Sequence, residues 1–383
     1  MADPLSVLMP APRDTLLLKA LVREGAAGRQ AWQAWTAGLS PRGRTAGARD
    51  VIAALSARSI FVPLLYWNLG RNGISLDAEL VTYLRSAVLT EDLRWLKYQE
   101  IFRSALAVLN RAGIPFLVLK GAALGEGCYP SPVLRHTGDI DLLLRKDDAA
   151  RAADLFAGLG WRRASVTSPV ARHHRHLPPL THESGLPLEL HHRIAPAFYT
   201  VPYDQLRARS VRTTITGGAA RVLSPADSLL HTCLHAMVSA RGLRWIVDAW
   251  FIVWRHPDLD WAVFIETARA SRATLPVHAA LRYLAEEMAV PVPERVVADA
   301  RRHAAASGFL ARWAARPIPS GRPGEIWESP GPPWRRAARL VGRAFPSPVA
   351  LALQFDIPVW QMPGEYIHRT IRVARYVVGK GRD

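Results

Sequence analysis

Residues Gly138-Asp139-Ile140-Asp141-Leu142-Leu143-Leu144 place two carboxylates one residue apart on a segment that otherwise reads as a buried strand. Side chains at i and i+2 of a strand share a face, roughly 6.5 Å apart along the chain. Asp139 and Asp141 therefore project together, and Ile140, Leu142 and Leu144 pack on the opposite face. Two like charges held this close repel, and one resists ionisation unless a cation lies between them. A divalent ion resolves the conflict, because Mg²⁺ takes carboxylate oxygens together with substrate phosphates. The strand thus asks for an apolar core on one side and a cation on the other.

The surrounding pattern alternates strand and helix. Pro115 to Lys120 is a short apolar run of strand length, Gly121 to Cys128 a short helix or turn, and Asp139 to Leu144 the next strand. Asp147 to Leu159 is an amphipathic helix that ends before Gly160, and Trp161 to Val166 reads as a third strand. Thr167 to Gly185 reads as a His-, Pro- and Arg-rich loop. Leu186 to Ile194 is a fourth strand, with Leu188 and Leu190 alternating against Glu189 and His191. Before this block, residues 14 to about 110 carry helical periodicity, strongest from Leu80 to Leu109, where Gly113 supplies a terminator. After it, Ser224-Pro225-Ala226-Asp227 is a helix start. Helices are expected over 225–239, 243–255, 259–271 and 276–289, with another near Tyr366 to Val378. The fold class is α/β (α+β), a small mixed-sheet core flanked by helical segments. The expected divisions are an N-terminal helical region (1–110), the core (111–195), a helical domain (196–290) and a Pro/Trp-rich C-terminal region (291–383).

Charge bears on partners. The net charge of +17 suggests nucleic acid, yet 44 of the 49 basic residues are arginine and they are spread along all 383 residues. No dense basic block with interleaved aromatics tracks a phosphate backbone, so a nucleic-acid surface is not expected and a nucleotide-sized anion is. Cys128 and Cys233 are too few for a disulfide framework or a Cys-based zinc site, and read as buried small residues. The N-terminus lacks an apolar core of signal-peptide length, and the apolar stretch Trp245 to Trp254 is short and broken by Asp248. A cytoplasmic protein without membrane attachment is expected.

The order strand, Gly121 turn, helix, then an Asp139-Ile140-Asp141 strand resembles the polymerase-beta-like nucleotidyltransferase superfamily. Within it, the chain is most similar to the uncharacterised bacterial nucleotidyltransferase family. The residues carrying the likeness are Leu119-Lys120-Gly121-Ala122, Tyr129-Pro130, Arg135, Asp139 to Leu143 and Leu188-Glu189-Leu190-His191. It continues through Leu229-Leu230-His231, His235 and Leu243-Arg244-Trp245-Ile246-Val247-Asp248, and covers about residues 100 to 255. The resemblance implies attack of a hydroxyl on the α-phosphorus of a nucleoside triphosphate, with Mg²⁺ or Mn²⁺ held by Asp139, Asp141 and Glu189. Glu189 is the third carboxylate and the expected proton acceptor. Lys120, Gly121, Ala122 and Arg135 are the expected nucleotide-binding residues, Gly121 through close backbone approach and Lys120 and Arg135 through charge. ATP is the expected donor, AMP the group transferred, and a small molecule or protein the acceptor. The chain departs from the superfamily at Ala122, where many members carry a phosphate-binding serine hydroxyl. The family itself shares the alanine.

Two other functions fit the same residues: a non-catalytic nucleotide-binding or scaffold protein, and a nucleotidyltransferase acting on RNA ends. Structural readings compete at single residues. His173, His174, His176 and His182 crowd one loop, and His231 and His235 share one helical face, but neither set has the Glu of a His-Glu-x-x-His zinc site. His235 and Asp248 are expected to bond between helices or to line the acceptor side of the cleft. Trp245, Trp250 and Trp254 are expected in the core.

Overall fold

The computed structural model describes residues 9–40, 46–163, 175–195, 199–238, 243–307, 332–346 and 362–379. Five helices come first: α1 (Pro12–Val22), α2 (Gly25–Ala37), α3 (Ala48–Ser56), α4 (Val62–Arg71) and α5 (Ala78–Arg111). The long α5 starts at Asp77, whose carboxylate accepts the Glu79 N–H, and ends where Gly113 turns into the left-handed region at φ +61°. The sheet block follows as β1 (Leu117–Val118), α6 (Lys120–Gly127), β2 (Ile140–Leu143), α7 (Lys146–Gly158), β3 (Arg162–Arg163), β4 (Leu180–Thr181), β5 (Pro187–His191), α8 (Tyr203–Arg209), β6 (Val211–Ile215) and β7 (Gly218–Val222). Helices then resume as α9 (Pro225–Val238), α10 (Arg244–Arg255), α11 (Trp261–Ala270), α12 (Thr274–Glu286), α13 (Glu294–Ala305), α14 (Pro333–Ala344) and α15 (Met362–Gly379).

The seven strands form one mixed sheet in the order β3-β4-β5-β2-β1-β7-β6. β2 lies near its centre, antiparallel to β1 and parallel to β5, in a register that sets Asp141 beside Glu189 and Leu143 beside His191. Residues directly opposite in a ladder share a face, so Asp139, Asp141, Glu189 and His191 all project to one side. The other side is apolar. Ile140, Leu142, Leu144, Leu188 and Leu190 pack there on Phe102 and Leu106 of α5 and on Phe156 of α7. Emptying such a position, as in Phe156→Ala, removes about 3–5 kcal/mol.

A second core joins the N-terminal helices to those that follow the sheet. Leu17, Leu18 and Leu21 of α1 and Leu65 of α4 share it with Leu230, Ile246, Phe251 and Leu281 of the later helices. Thr15 and Tyr283 hydrogen-bond across it at 2.8 Å. The N-terminal helices therefore close over the acid side of the sheet together with α9 and α10. No single helix among the described residues is long and apolar enough to cross a membrane.

Several sequence expectations are corrected. Residues 203–222, read as the start of a helical domain, form α8 and the β6–β7 hairpin, and β7 pairs with β1 to extend the sheet. Its turn puts Thr216 at φ +50° and Gly217 at φ +79°. A β-branched residue resists that conformation. Here the Glu126 carboxylate accepts the Thr216 N–H at 2.8 Å and Arg103 donates to its carbonyl at 2.7 Å, which holds the turn against α5 and α6. The expected loop over 167–185 contains β4, and α13 and α14 lie in the region 291–383, where the only helix expected was the one near Tyr366 to Val378. Most of the expected third strand beyond Arg163, with His173 and His174, falls outside the described residues, as does most of Pro317 to Pro333. Trp245 is buried as expected, whereas Trp254 is 47% exposed.

Candidate active site

Helix α6 begins at the end of β1, and its first residues are unusual. Lys120 has φ +39°, a left-handed conformation that costs a non-glycine residue about 1 kcal/mol or more. Gly121 follows, and a Cβ on it would lie 2.6 Å from Thr137 Cγ2. Only glycine lets the helix start sit this close to the Thr137–Asp139 segment. The Leu119 N–H donates to the Asp141 carbonyl at 3.0 Å, and Tyr98 donates to the Asp139 carbonyl at 3.0 Å. These bonds fix α6 against the mouth of β2.

Asp141 is buried, and its Oδ1 takes two partners: Lys120 Nζ at 2.9 Å and His191 Nε2 at 2.8 Å. His191 Nε2 also lies 3.2 Å from Glu189 Oε2. Asp141 Oδ2 is buried with no hydrogen-bond partner, and so is His191 Nδ1. Burial alone would raise the Asp141 pKa, but the Lys120 ammonium and the His191 hydrogen bond outweigh it and hold the carboxyl well below its usual range. Asp139 goes the other way: burial and the Asp141 charge push its carboxyl up, against the pull of Lys120. For Glu189, burial again raises, but the His191 hydrogen bond and His176 lower it overall. Donor atoms of Asp141, Glu189 and His191 all lie within 4.8 Å of one another, a spacing that fits one metal ion. This group contains His191 where Asp139 was expected. Asp139 stands beside it on the same face and borders the cavity.

That cavity, about 250 Å³, lies between the acid face of the sheet, the start of α6, and helices α9 and α10. Arg135 and Asp248 border it but bind each other. The guanidinium donates from Nε and from a terminal nitrogen to the two Asp248 oxygens, each at 2.8 Å, and Tyr129 donates to Oδ1 at 2.7 Å. Arg135 is thus committed to Asp248 through two nitrogens; Asp248 finds its partners on the α6–β2 connection and not in His235, and both Asp248 and His235 border the cavity. Arg244, one turn before Asp248, also borders the cavity, and it carries no hydrogen bond or ion pair among the described residues. Burial, reinforced by the charge of Arg135, lowers its pKa. His231 and His235 complete the α9 wall. Burial and the Lys120 charge drive both pKa values down, that of His235 to about 3, so both rings are neutral near pH 7. Ala122, expected at the phosphate site, points its methyl into the α5 core, and Ala123 faces the cavity. Cys128 and Cys233 are buried free thiols, each pushed up to about 12 by burial.

Residues 47–289, more than half of the chain, match the uncharacterised nucleotidyltransferase family. The chain belongs to that family. Among solved structures, it is similar to an antigenic nucleotidyltransferase-like protein from Paracoccidioides brasiliensis, at 15% identity over 53% of this chain and 91% of that one, with a TM-score of 0.32. At that identity and score the likeness adds nothing to the family match. No curated protein matches the chain.

Two residues of the site, His191 beside Asp141 and Arg244 at the cavity, had no assigned role in the sequence. His191 stands two residues after Glu189 on a strand, so period-2 alternation already put them on one face. Its contact with Asp141 depends on the β2–β5 register, which no local pattern reveals. Arg244 was one arginine among many, and its distinction is that it has no hydrogen bond or ion pair among the described residues.

Proposed function

We propose that the protein is a metal-dependent nucleotidyltransferase that moves a nucleoside monophosphate, AMP from ATP, to a hydroxyl of a small-molecule or protein acceptor. The observation that carries this reading is the side-by-side placement of Asp141 and Glu189 beneath the Gly121 helix start, with Asp139 on the same face. The donor set suits a divalent cation. A buried carboxylate oxygen with no hydrogen-bond donor, Asp141 Oδ2, is costly unless a cation meets it. Asp141 and Glu189 would hold Mg²⁺ or Mn²⁺, with Asp139 adjacent. The ion supplies charge neutralisation at the attacking and leaving oxygens.

The remaining work falls to the chain. The first N–H groups of α6 have no intrahelical partner and border the cavity through Gly121, which suits them to phosphate oxygens. The hydroxyl seen at this point in many superfamily members has no counterpart, because Ala122 faces the core. Side-chain charge for the phosphates comes from Lys120 and Arg244, since Arg135 is spent on Asp248. The hydroxyl's proton goes to Asp139 in preference to Glu189. Asp139 borders the cavity and lies outside the group of donor atoms that fits the ion, which leaves its carboxylate available to the proton. Cytoplasmic placement belongs to the same reading and rests on the two free cysteines.

The test is incubation of the protein with α-labelled nucleotides, Mg²⁺ or Mn²⁺, and cell extract. Label on an acceptor with release of pyrophosphate is expected for the wild type and not for Asp141→Asn. No labelled product from any nucleotide, with folded protein, would leave the scaffold reading in its place. Label on RNA ends would make it the RNA-end enzyme.

A further inference from the structure

We infer that His191 is itself a ligand of the ion, so that the centre is a mixed carboxylate–imidazole site of Asp141, Glu189 and His191 that prefers Mn²⁺ to Mg²⁺. The ion's purpose rests on the nucleotidyltransferase reading; the ligand set rests on geometry. Two donors bound at right angles to one ion, each a little over 2 Å from it, lie roughly 3 Å apart. His191 Nε2 is 2.8 Å from Asp141 Oδ1 and 3.2 Å from Glu189 Oε2, so both separations already match the edges of a coordination polyhedron. The three side chains come from adjacent parallel strands in register, which fixes these separations through the backbone. Asp141 Oδ2, buried and without a donor, marks the same spot as short of positive charge.

Without an ion, Lys120 Nζ and the His191 N–H share Asp141 Oδ1. Ligation through His191 Nε2 removes one of these donors and competes with the other, releasing the Lys120 ammonium toward the cavity it borders. It also moves the imidazole proton to Nδ1, which has no acceptor. Ligating histidines ordinarily have one. The missing acceptor weakens the site and keeps the ion exchangeable, as suits an ion that works with a substrate. Mg²⁺ favours an all-oxygen shell, whereas first-row divalent ions accept imidazole nitrogen, and that sets the preference.

Electron spin-echo modulation of Mn²⁺ bound to the wild-type protein, without nucleotide, reads nitrogen ligation directly. Expected are ¹⁴N modulation, its replacement by a ¹⁵N pattern when histidine alone is labelled, persistence in His176→Asn and loss in His191→Asn. His176 is the control because its Nε2 lies 3.7 Å from Glu189 Oε2. Mn²⁺ should bind about tenfold or more tightly than Mg²⁺, with the gap closing in His191→Asp. Bound Mn²⁺ without nitrogen coupling overturns the inference, as does coupling that follows His176. So does equal affinity for the two ions. The wild-type spectra decide the matter even if the buried position tolerates no substitution. Nitrogen ligation without label transfer from any nucleotide would sink the enzymatic reading and leave the ligand set standing.

Discussion

One cavity has two polar ends, and they are built on opposite principles. At the Arg135 end the buried acid is answered: both Asp248 oxygens meet the same guanidinium, and Tyr129 adds a third bond. At the Asp141 end, three acids converge on one lysine and one neighbouring histidine, Lys120 holds a strained φ, and one buried oxygen has no partner. A satisfied buried pair fastens elements together. Here it ties α10 to the segment entering β2. An unsatisfied cluster persists only because the surrounding fold imposes it, and its deficit describes what it is built to receive.

Substitutions at the two ends should therefore fail differently. The largest effect is expected from Asp141→Asn or Asp139→Asn, each lowering the rate of label transfer on the order of 10³-fold. Retention of more than a small fraction of the rate would break the contrast. Next comes Asp248→Ala, which strands a buried guanidinium and should cost about 3–5 kcal/mol in urea unfolding. A loss under about 1 kcal/mol would mean that the closed end fastens nothing. Smaller again, Arg244→Gln should weaken nucleotide binding by roughly tenfold in a direct titration, leaving Mn²⁺ affinity and stability near wild type. An unchanged nucleotide affinity would remove Arg244 from the phosphate site. The smallest effect is on stability against pH. Because the Asp139 pKa is raised in the folded protein, its charged form destabilises the fold above that pKa. Asp139→Asn should melt higher than wild type at pH 7, and the gap should close as pH falls below the unfolded value of about 3.9. The Asp248 pKa is lowered, so its contribution runs the other way and disappears only at lower pH.

What could be read from sequence follows the same division between local and non-local causes. The acid strand announced itself because alternation is local, and β2 does place Ile140, Leu142 and Leu144 in the core opposite its acids. The start of α9 was legible for the same reason. Ser224 Oγ accepts the Asp227 N–H at 3.2 Å and donates back to its carboxylate at 2.8 Å, with Pro225 as the first helical residue. The β6–β7 hairpin was not legible. β6 is an edge strand exposed on most positions, and its turn uses a threonine that only distant Glu126 and Arg103 hold in place. Arg135 looked like a phosphate ligand until its partner, 113 residues away, came into view. The enclosing of the acid face by helices that precede and follow the sheet is likewise a property of packing between segments that carry no mark of each other.

The most direct measurement is calorimetric titration of a nucleoside triphosphate analogue with a non-hydrolysable α–β linkage into the protein, with and without Mn²⁺. One analogue per chain should bind with Mn²⁺, and binding should fall at least about tenfold when the ion is withheld or in Asp141→Asn. Equal binding with and without the ion, unchanged by Asp141→Asn, would contradict the claim that the unsatisfied end of the cavity is where metal and nucleotide meet.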